Sequence, residues 1–286
     1  MLTTLVDKKQ YQNCLDILNF LLEFLRQNES STIQYLKSRV YFYLSFVAEK
    51  MGKTEEFINE FNSAYRKACL DLDLITQNTL INCIVRYFLE NNAYEQARNF
   101  LSKTKFHENV LTNEDARYLY YLGIILSILT YFNKFIGRIN AVLLNYSEAY
   151  KHLTDSSRKS PEKSAEGFKT IIQKLLIITE MLMGDVPDVT KYLGNLKEMG
   201  GYCSLIKAVS QGNLDYFNQV IAENKDTFLA DKNYNLIQKL RYVVIKVGLR
   251  KINLSYNRIS LADMSQKLHL ESELETEYIV GKVYNI

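Results

Sequence analysis

Proline, tryptophan and closely spaced cysteines are scarce or missing in this sequence of 286 residues. Two prolines and 11 glycines leave long stretches free to form helices, and strand-type alternation of apolar and polar residues is nearly absent. Apolar residues make up 47% of the chain, which supplies a substantial core and argues against a disordered chain. Because apolar residues recur at helical spacings of three, four and seven, the sequence predicts a mainly α fold.

The four cysteines, Cys14, Cys69, Cys83 and Cys203, are far apart in the sequence. No two of them lie within two or three residues of each other, which excludes the spacing of a zinc ribbon or a redox motif. Scattered single cysteines are typical of a reducing compartment, where they act as small apolar residues of the core.

Charge is nearly balanced, with a formal net charge of +3. This excess gives no electrostatic argument for binding to nucleic acid or to a membrane surface. The uncharged segment 118–133 covers 16 residues between Arg117 and Lys134. A membrane-spanning helix needs about 20 apolar residues, so we expect a buried helix there.

No pattern of catalytic or metal-ligating residues stands out. The three histidines, His107, His152 and His269, are far apart and have no acid or cysteine at ligand spacing. Glycines are sparse and form no glycine-rich phosphate-binding motif, so no phosphate-binding loop is expected, and no Ser/His/Asp or Cys/His grouping has a local signature. We therefore predict no catalytic residue, no metal and no cofactor.

A turn followed by an acidic or amide residue and an apolar helix recurs along the chain. Such helix starts stand at Lys9, Gly52, Asn92 and Asn145, at intervals of 43, 40 and 53 residues. A period of about 40 is typical of solenoids built from helix pairs, in which each pair buries its apolar face on its neighbours.

The third interval is long because of residues 124–137, IILSILTYFNKFIG. Without these residues the interval is 39, and the flanking sequences read as one helix and turn. The segment is either a hairpin extension or translated non-coding sequence, since its residues are those of AT-rich codons. We favour the second interpretation, which sequencing of the mature transcript would test.

The most informative segment is 253–270, NLSYNRISLADMSQKLHL. It predicts a short strand at 258–261 and a helix capped by Ser260 with Asp263 three residues later. A second capped start at Ser272, with Glu275, completes a helix-turn-helix or winged-helix pattern. Such units bind nucleic acid or proteins.

Charge favours a protein partner for this unit. Glu271, Glu273, Glu275 and Glu277 crowd the start of the second helix, where they would repel phosphates. Exposed strand edges invite pairing with another chain. We therefore predict that three residues on the edge strand face a neighbouring protein: Tyr256, Arg258 and Ser260.

Short matches in a fixed order resemble the PCI family, named for proteasome lid, signalosome and translation-initiation complexes. They are ARYLYYLG at 116–123, RINA at 138–141, YSEA at 146–149, RKSP at 158–161, GDVPD at 184–188, GNL at 212–214 and RISLAD at 258–263. The resemblance implies a TPR-like solenoid of helix pairs over residues 1–232, followed by the winged-helix part of a PCI domain over 233–286. Family members extend beyond both ends of this chain, so we expect the solenoid to lack its first part and the winged helix to lack its wing.

The same resemblance implies a non-catalytic scaffold in the lid of the proteasome regulatory particle. Its partners would be other PCI subunits of the lid and the base of the particle, and its place the cytoplasm and nucleus. Two alternatives stay open. One is a PCI subunit of the signalosome or of a translation-initiation complex, and the other is a solenoid adaptor for nucleic acid.

Overall fold

The computed structural model describes residues 2–27, 33–129, 139–161, 166–190, 196–256, 258–268, 270 and 273–284. No residue in these ranges is in a β-strand, which agrees with the predicted mainly α fold. The helices are α1 (Leu2–Asp7), α2 (Tyr11–Gln27), α3 (Gln34–Met51), α4 (Thr54–Leu70), α5 (Leu74–Glu90), α6 (Tyr94–Lys103), α7 (Thr112–Leu129), α8 (Ile139–Lys159), α9 (Glu166–Met183), α10 (Leu196–Gln211), α11 (Leu214–Glu223), α12 (Lys225–Ala230), α13 (Tyr234–Ser255), α14 (Leu261–Leu268) and α15 (Glu273–Tyr284).

The chain divides into two compact units. Unit 1 runs to Ile125 and includes Arg158–Pro161, and unit 2 contains Leu126–Ser157 and Glu162–Ile286. In unit 1, α3 and α5 begin 40 residues apart, as do α4 and α6, and α5 packs against α3, α4 and α6. These helix pairs agree with the predicted period, whereas the predicted division into residues 1–232 and 233–286 stays a prediction.

One type of turn joins successive helices at six places. A residue with φ between 54° and 67° follows the first helix, and the next helix begins two residues later. After α3, for example, the Gly52 N–H donates to the Glu49 carbonyl (3.2 Å) and the Lys53 N–H to the Ala48 carbonyl (3.0 Å). Such paired bonds satisfy carbonyls that the helix end leaves open. The left-handed residues of the six turns are Lys9, Gly52, Leu72, Asn92, Gly212 and Lys232.

Leu72 is the unusual residue in this set, because its side chain is 77% exposed and branched residues avoid the left-handed region. The left-handed conformation costs a residue with a Cβ about 1–2 kcal/mol, and asparagine tolerates it better. We expect Leu72→Asn to raise the free energy of unfolding of unit 1 by about 0.5–1 kcal/mol. Urea denaturation measures the change. Leu72→Ala is the matched control because it keeps the Cβ, and equal stabilities of the two variants would contradict the explanation.

The predicted helix start at Asn145 is wrong. Helix α8 runs from Ile139 to Lys159 without a turn, and it buries Ala149 and Leu153. Nothing in the sequence NYSEA breaks a helix, because it contains neither glycine nor proline, and burial of an apolar face outweighs a local capping signal.

The predicted interruption at residues 124–137 is only partly described. Residues 124–129 continue α7 without a break, and residues 130–137 lie outside the described ranges. Whether the segment is an extension or non-coding sequence stays open. No helix in the described part of the chain has both the length and the apolar character needed to cross a membrane.

Helix α13 is central to unit 2, where it contacts α9, α10, α11, α12 and α14. The turn between α10 and α11 lies directly on it, because Gly212 and Gly248 approach backbone to backbone. A Cβ on Gly212 would lie 2.6 Å from the Gly248 nitrogen, and a Cβ on Gly248 would lie 2.7 Å from Leu268 Cδ2 of α14. The two glycines thus permit close packing that also fixes α14 against α13.

Candidate functional site

The segment between α13 and α14 carries the three residues predicted to contact a partner. Helix α13 continues to Ser255, Tyr256 is extended with φ −131° and ψ 127°, and α14 begins at Leu261. The predicted strand at 258–261 is therefore wrong. Ile252, in the last turns of α13, is buried, which holds the end of α13 in the core as a helix, and helical structure resumes at Leu261. The segment between the two helices has no neighbouring strand in the described ranges with which to pair.

Ser260 caps α14. The Asp263 backbone N–H donates to Ser260 Oγ (3.1 Å), and the Ser260 hydroxyl donates to Asp263 Oδ2 (2.7 Å). The Ser260 carbonyl accepts from the Met264 N–H at 3.0 Å, which is the first bond of the helix. The structure thus has the helix start that the Ser260–Asp263 spacing predicted.

We expect Ser260→Ala to lower the stability of α14 by about 1 kcal/mol, because the Asp263 N–H loses its acceptor. Amide hydrogen exchange of residues 262–268 measures the change. Ser265→Ala is the matched control. Its hydroxyl donates to the Ala262 carbonyl within the same helix, so its loss leaves no N–H without an acceptor. If both variants speed exchange equally, the capping role is refuted.

Tyr256 and Lys267 face each other across the segment. The Lys267 ammonium lies 4.9 Å from the centroid of the Tyr256 ring, a distance that allows a cation–π interaction. Hydrogen bonding to the Tyr256 side chain raises the pKa of Lys267, so this ammonium stays charged at neutral pH. The Tyr256 residue remains 43% exposed.

Arg258 is exposed and forms no hydrogen bond or ion pair with any residue in the described ranges. Its guanidinium carries five N–H donors that match a carboxylate in a bidentate arrangement. Arg258 is therefore available to an outside acceptor.

These side chains line an open groove with a volume of about 680 Å³, which we call the α14 groove. All three predicted residues, Tyr256, Arg258 and Ser260, line the α14 groove. Four further residues line it that were not predicted from the sequence to contact a partner. Their signal was helical spacing, since Asp263 and Lys267 follow Ser260 by three and seven positions on one face of α14. The groove is lined by Tyr256, Arg258, Ile259, Ser260, Asp263, Gln266 and Lys267.

Helix α15 leaves two large apolar side chains exposed. Leu274 is 77% exposed and Tyr278 is 67% exposed. Thr276 is buried instead, so the face that packs inward lies on another side of the helix. The predicted cap, Ser272, lies outside the described residues.

Three of the cysteines are buried, as small core residues would be. Burial raises the pKa of Cys14 and of Cys203, and it raises the pKa of Cys83 to about 12. These thiols are protonated at neutral pH and are poor nucleophiles.

Metal-ligating side chains do not cluster in the described ranges, where no group of three or more His, Cys, Asp or Glu residues could hold an ion. The backbone of His107 is held by Asn78, whose amide donates to the His107 carbonyl (2.6 Å) and accepts from its N–H (3.0 Å). His269 lies outside the described residues.

Two family models match the chain in sequence order. A model described as "PSMD3-like, N-terminal TPR repeats" matches residues 1–134 and 129–197, and the PCI domain matches residues 221–283. The first model matches in two segments, which overlap at residues 129–134, within the predicted interruption at 124–137.

Curated proteins from an amoeba, an insect and a yeast are similar to this chain over most of its length. The "26S proteasome non-ATPase regulatory subunit 3" of Dictyostelium discoideum is 36% identical over 99% of this chain and 54% of its own length. The "Probable 26S proteasome non-ATPase regulatory subunit 3" of Drosophila melanogaster is 38% identical over 88% of this chain and 48% of its own. The "Probable 26S proteasome regulatory subunit rpn3" of Schizosaccharomyces pombe is 34% identical over 98% and 54%.

The chain spans about half the length of these relatives. The matches include both the repeats and the PCI domain, in one order. The chain therefore belongs to the family of 26S proteasome non-ATPase regulatory subunit 3, with PSMD3-like TPR repeats followed by a PCI domain.

Proposed function

We propose that this chain is a structural subunit of the lid of the 26S proteasome regulatory particle. It supports ubiquitin-dependent protein degradation by holding other lid subunits and the base of the particle through protein–protein contacts, in the cytoplasm and nucleus. The observation that carries the proposal is similarity to regulatory subunit 3 over 99% of the chain.

The proposed role involves no catalysis by this chain. Its relatives are named non-ATPase regulatory subunits. The buried cysteines are protonated, and the described residues contain no metal-ligating cluster. A scaffold needs neither a reactive thiol nor a metal site, because its contribution is to hold other subunits in place.

The relatives named above are proteasome subunits, which gives no support to the alternatives of a signalosome or translation-initiation subunit. Nucleic-acid binding has no support in their names either. The weak net charge of +3 also argues against it.

Tyr256, Arg258 and Ser260 are proposed to contact a neighbouring lid subunit. They lie together in the α14 groove, within the part of the chain that matches the PCI domain. Tyrosine and arginine are enriched at protein interfaces because they combine a large contact area with directional hydrogen bonds.

Affinity purification of the tagged chain from its own cells, followed by mass spectrometry, tests the proposal. We expect lid and base subunits of the 26S proteasome to co-purify in near-equal amounts and to migrate with the chain on native gels. Recovery of signalosome proteins, initiation factors or RNA without proteasome subunits would overturn it.

A further inference from the structure

We propose that the α14 groove binds an extended acidic segment of a neighbouring subunit. The inference rests on the proposed function for the kind of assembly in which the neighbour occurs.

The groove has an excess of positive charge. Arg258 and Lys267 line it, and Asp263 is the acid among the lining residues. The Asp263 carboxylate accepts a hydrogen bond from the Ser260 hydroxyl in capping α14, so it is already engaged. Arg258 has no partner in the described ranges. A carboxylate entering the groove would gain a charge-assisted hydrogen bond without displacing an internal one.

Two described residues of the groove also leave backbone groups for an extended chain. Tyr256 has extended dihedral angles, and neither Arg258 nor Ile259 forms a backbone hydrogen bond with another residue in the described ranges. An extended peptide can bond to such a backbone while its side chains reach the lining residues. The half-exposed Tyr256 ring offers it an apolar wall.

A peptide fits this site better than a nucleic acid. A nucleic acid carries a charge on every nucleotide, whereas the groove is lined by two cations and one acid. A peptide can place one or two carboxylates at Arg258 and Lys267 and continue with uncharged residues.

Photo-crosslinking within the assembled complex tests the inference. Gln266 lines the groove, and replacing it with p-benzoylphenylalanine in the full chain places a crosslinker at that position. After irradiation and purification of the proteasome, mass spectrometry identifies the captured peptide. We expect an acidic segment of one lid subunit. Loss of a charge-assisted bond in Arg258→Glu should reduce that crosslink about tenfold.

Arg250→Glu is the matched control. Arg250 is exposed on α13, does not line the groove and has the same charge, so its reversal should leave the crosslink yield within about twofold. Circular dichroism checks that both variants keep their helix content.

Other outcomes separate this inference from the proposed function. A crosslink to RNA, a crosslink to a segment without acids, or no crosslink while the chain still co-purifies with the proteasome would overturn the groove proposal alone. Equal crosslinking by Arg258→Glu and Arg250→Glu would also overturn it. Failure of the wild-type chain to co-purify with the proteasome would overturn the proposed function, and this inference with it.

Discussion

Gly212→Ala is expected to lower the free energy of unfolding of unit 2 by about 3 kcal/mol, because it combines backbone strain with a steric clash. Gly212 has φ +66°, a conformation that any residue with a Cβ adopts at a cost. The added methyl group would lie 2.6 Å from the Gly248 nitrogen, 2.7 Å from the Gly248 Cα and 3.2 Å from the Val247 carbonyl carbon. All three atoms belong to the backbone of α13, so no side-chain rotation relieves the clash.

Gly52→Ala separates the two contributions. Gly52 occupies the same position in the same type of turn, with φ +67°, but a Cβ there would meet no atom within 4 Å. We expect it to cost about 1–2 kcal/mol, from backbone strain alone. Because the two glycines belong to different units, amide hydrogen exchange of α13 and of α3 reports each loss where it occurs. Equal losses at the two sites would show that the contact with Gly248 contributes nothing.

The contact between Gly212 and Gly248 also affects the position of the α14 groove. Gly248 lies against Gly212 on one side and Leu268 of α14 on the other. Helix α13 ends at Ser255, directly before Tyr256, so a displacement of α13 also moves one wall of the groove. We therefore expect Gly212→Ala to weaken crosslinking from Gln266 even though it does not touch the groove.

Sequence reasoning found the repeat because glycine and asparagine mark some of its turns. Gly52 and Asn92 are residues that favour the left-handed region, and each was expected to lie at a helix start. The equivalent turns at Leu72 and Lys232 carry no such signal, since their conformation is imposed by packing of the flanking helices. The reverse error occurred at Asn145, where a local turn signal lies inside a continuous helix.

The helix cap within the candidate site could be predicted from the sequence, whereas contact with a partner stays a prediction. The spacing of Ser260 and Asp263 predicts a cap, and the structure contains it. Tyr256 and Arg258 were chosen because a strand edge was expected, and the structure has no strand there. Lys267 was not chosen, because its contact with the Tyr256 ring depends on how the chain bends between two helices. The helical spacing of Ser260 and Lys267 places both on one face of α14, but it does not show that Tyr256 lies opposite that face.

Asp231→Ala is expected to lower the free energy of unfolding of unit 2 by about 3 kcal/mol, because it leaves a buried cation without its partner. Lys174 of α9 is 8% exposed, and its ammonium lies 3.0 Å from Asp231 Oδ1 and 2.8 Å from Asp231 Oδ2. The Tyr202 hydroxyl of α10 donates to Asp231 Oδ2 at 2.9 Å and accepts from the Asn233 amide at 3.1 Å. One carboxylate thus links α9 and α10 to the turn before α13.

The cost arises from desolvation rather than from the lost attraction alone. Burial raises the pKa of Tyr202, which therefore stays neutral and donates a hydrogen bond to Asp231. Without the carboxylate, this hydroxyl and the Lys174 ammonium both lose an acceptor in a site with little access to water. Asp226→Ala is the control. Asp226 is an exposed acid on α12, so its loss should change stability by a few tenths of a kcal/mol.

A second substitution tests this explanation directly. Lys174→Met removes the buried charge while keeping a long apolar side chain. The double variant Lys174→Met with Asp231→Ala should be more stable than Asp231→Ala alone by about 1–2 kcal/mol, because no unpaired ammonium remains. Urea denaturation of the four proteins of this cycle gives the coupling energy. If the losses of the two single variants simply add, the pair is not coupled, and the stability of this part of unit 2 depends on the packing of Tyr202 against Phe228 instead.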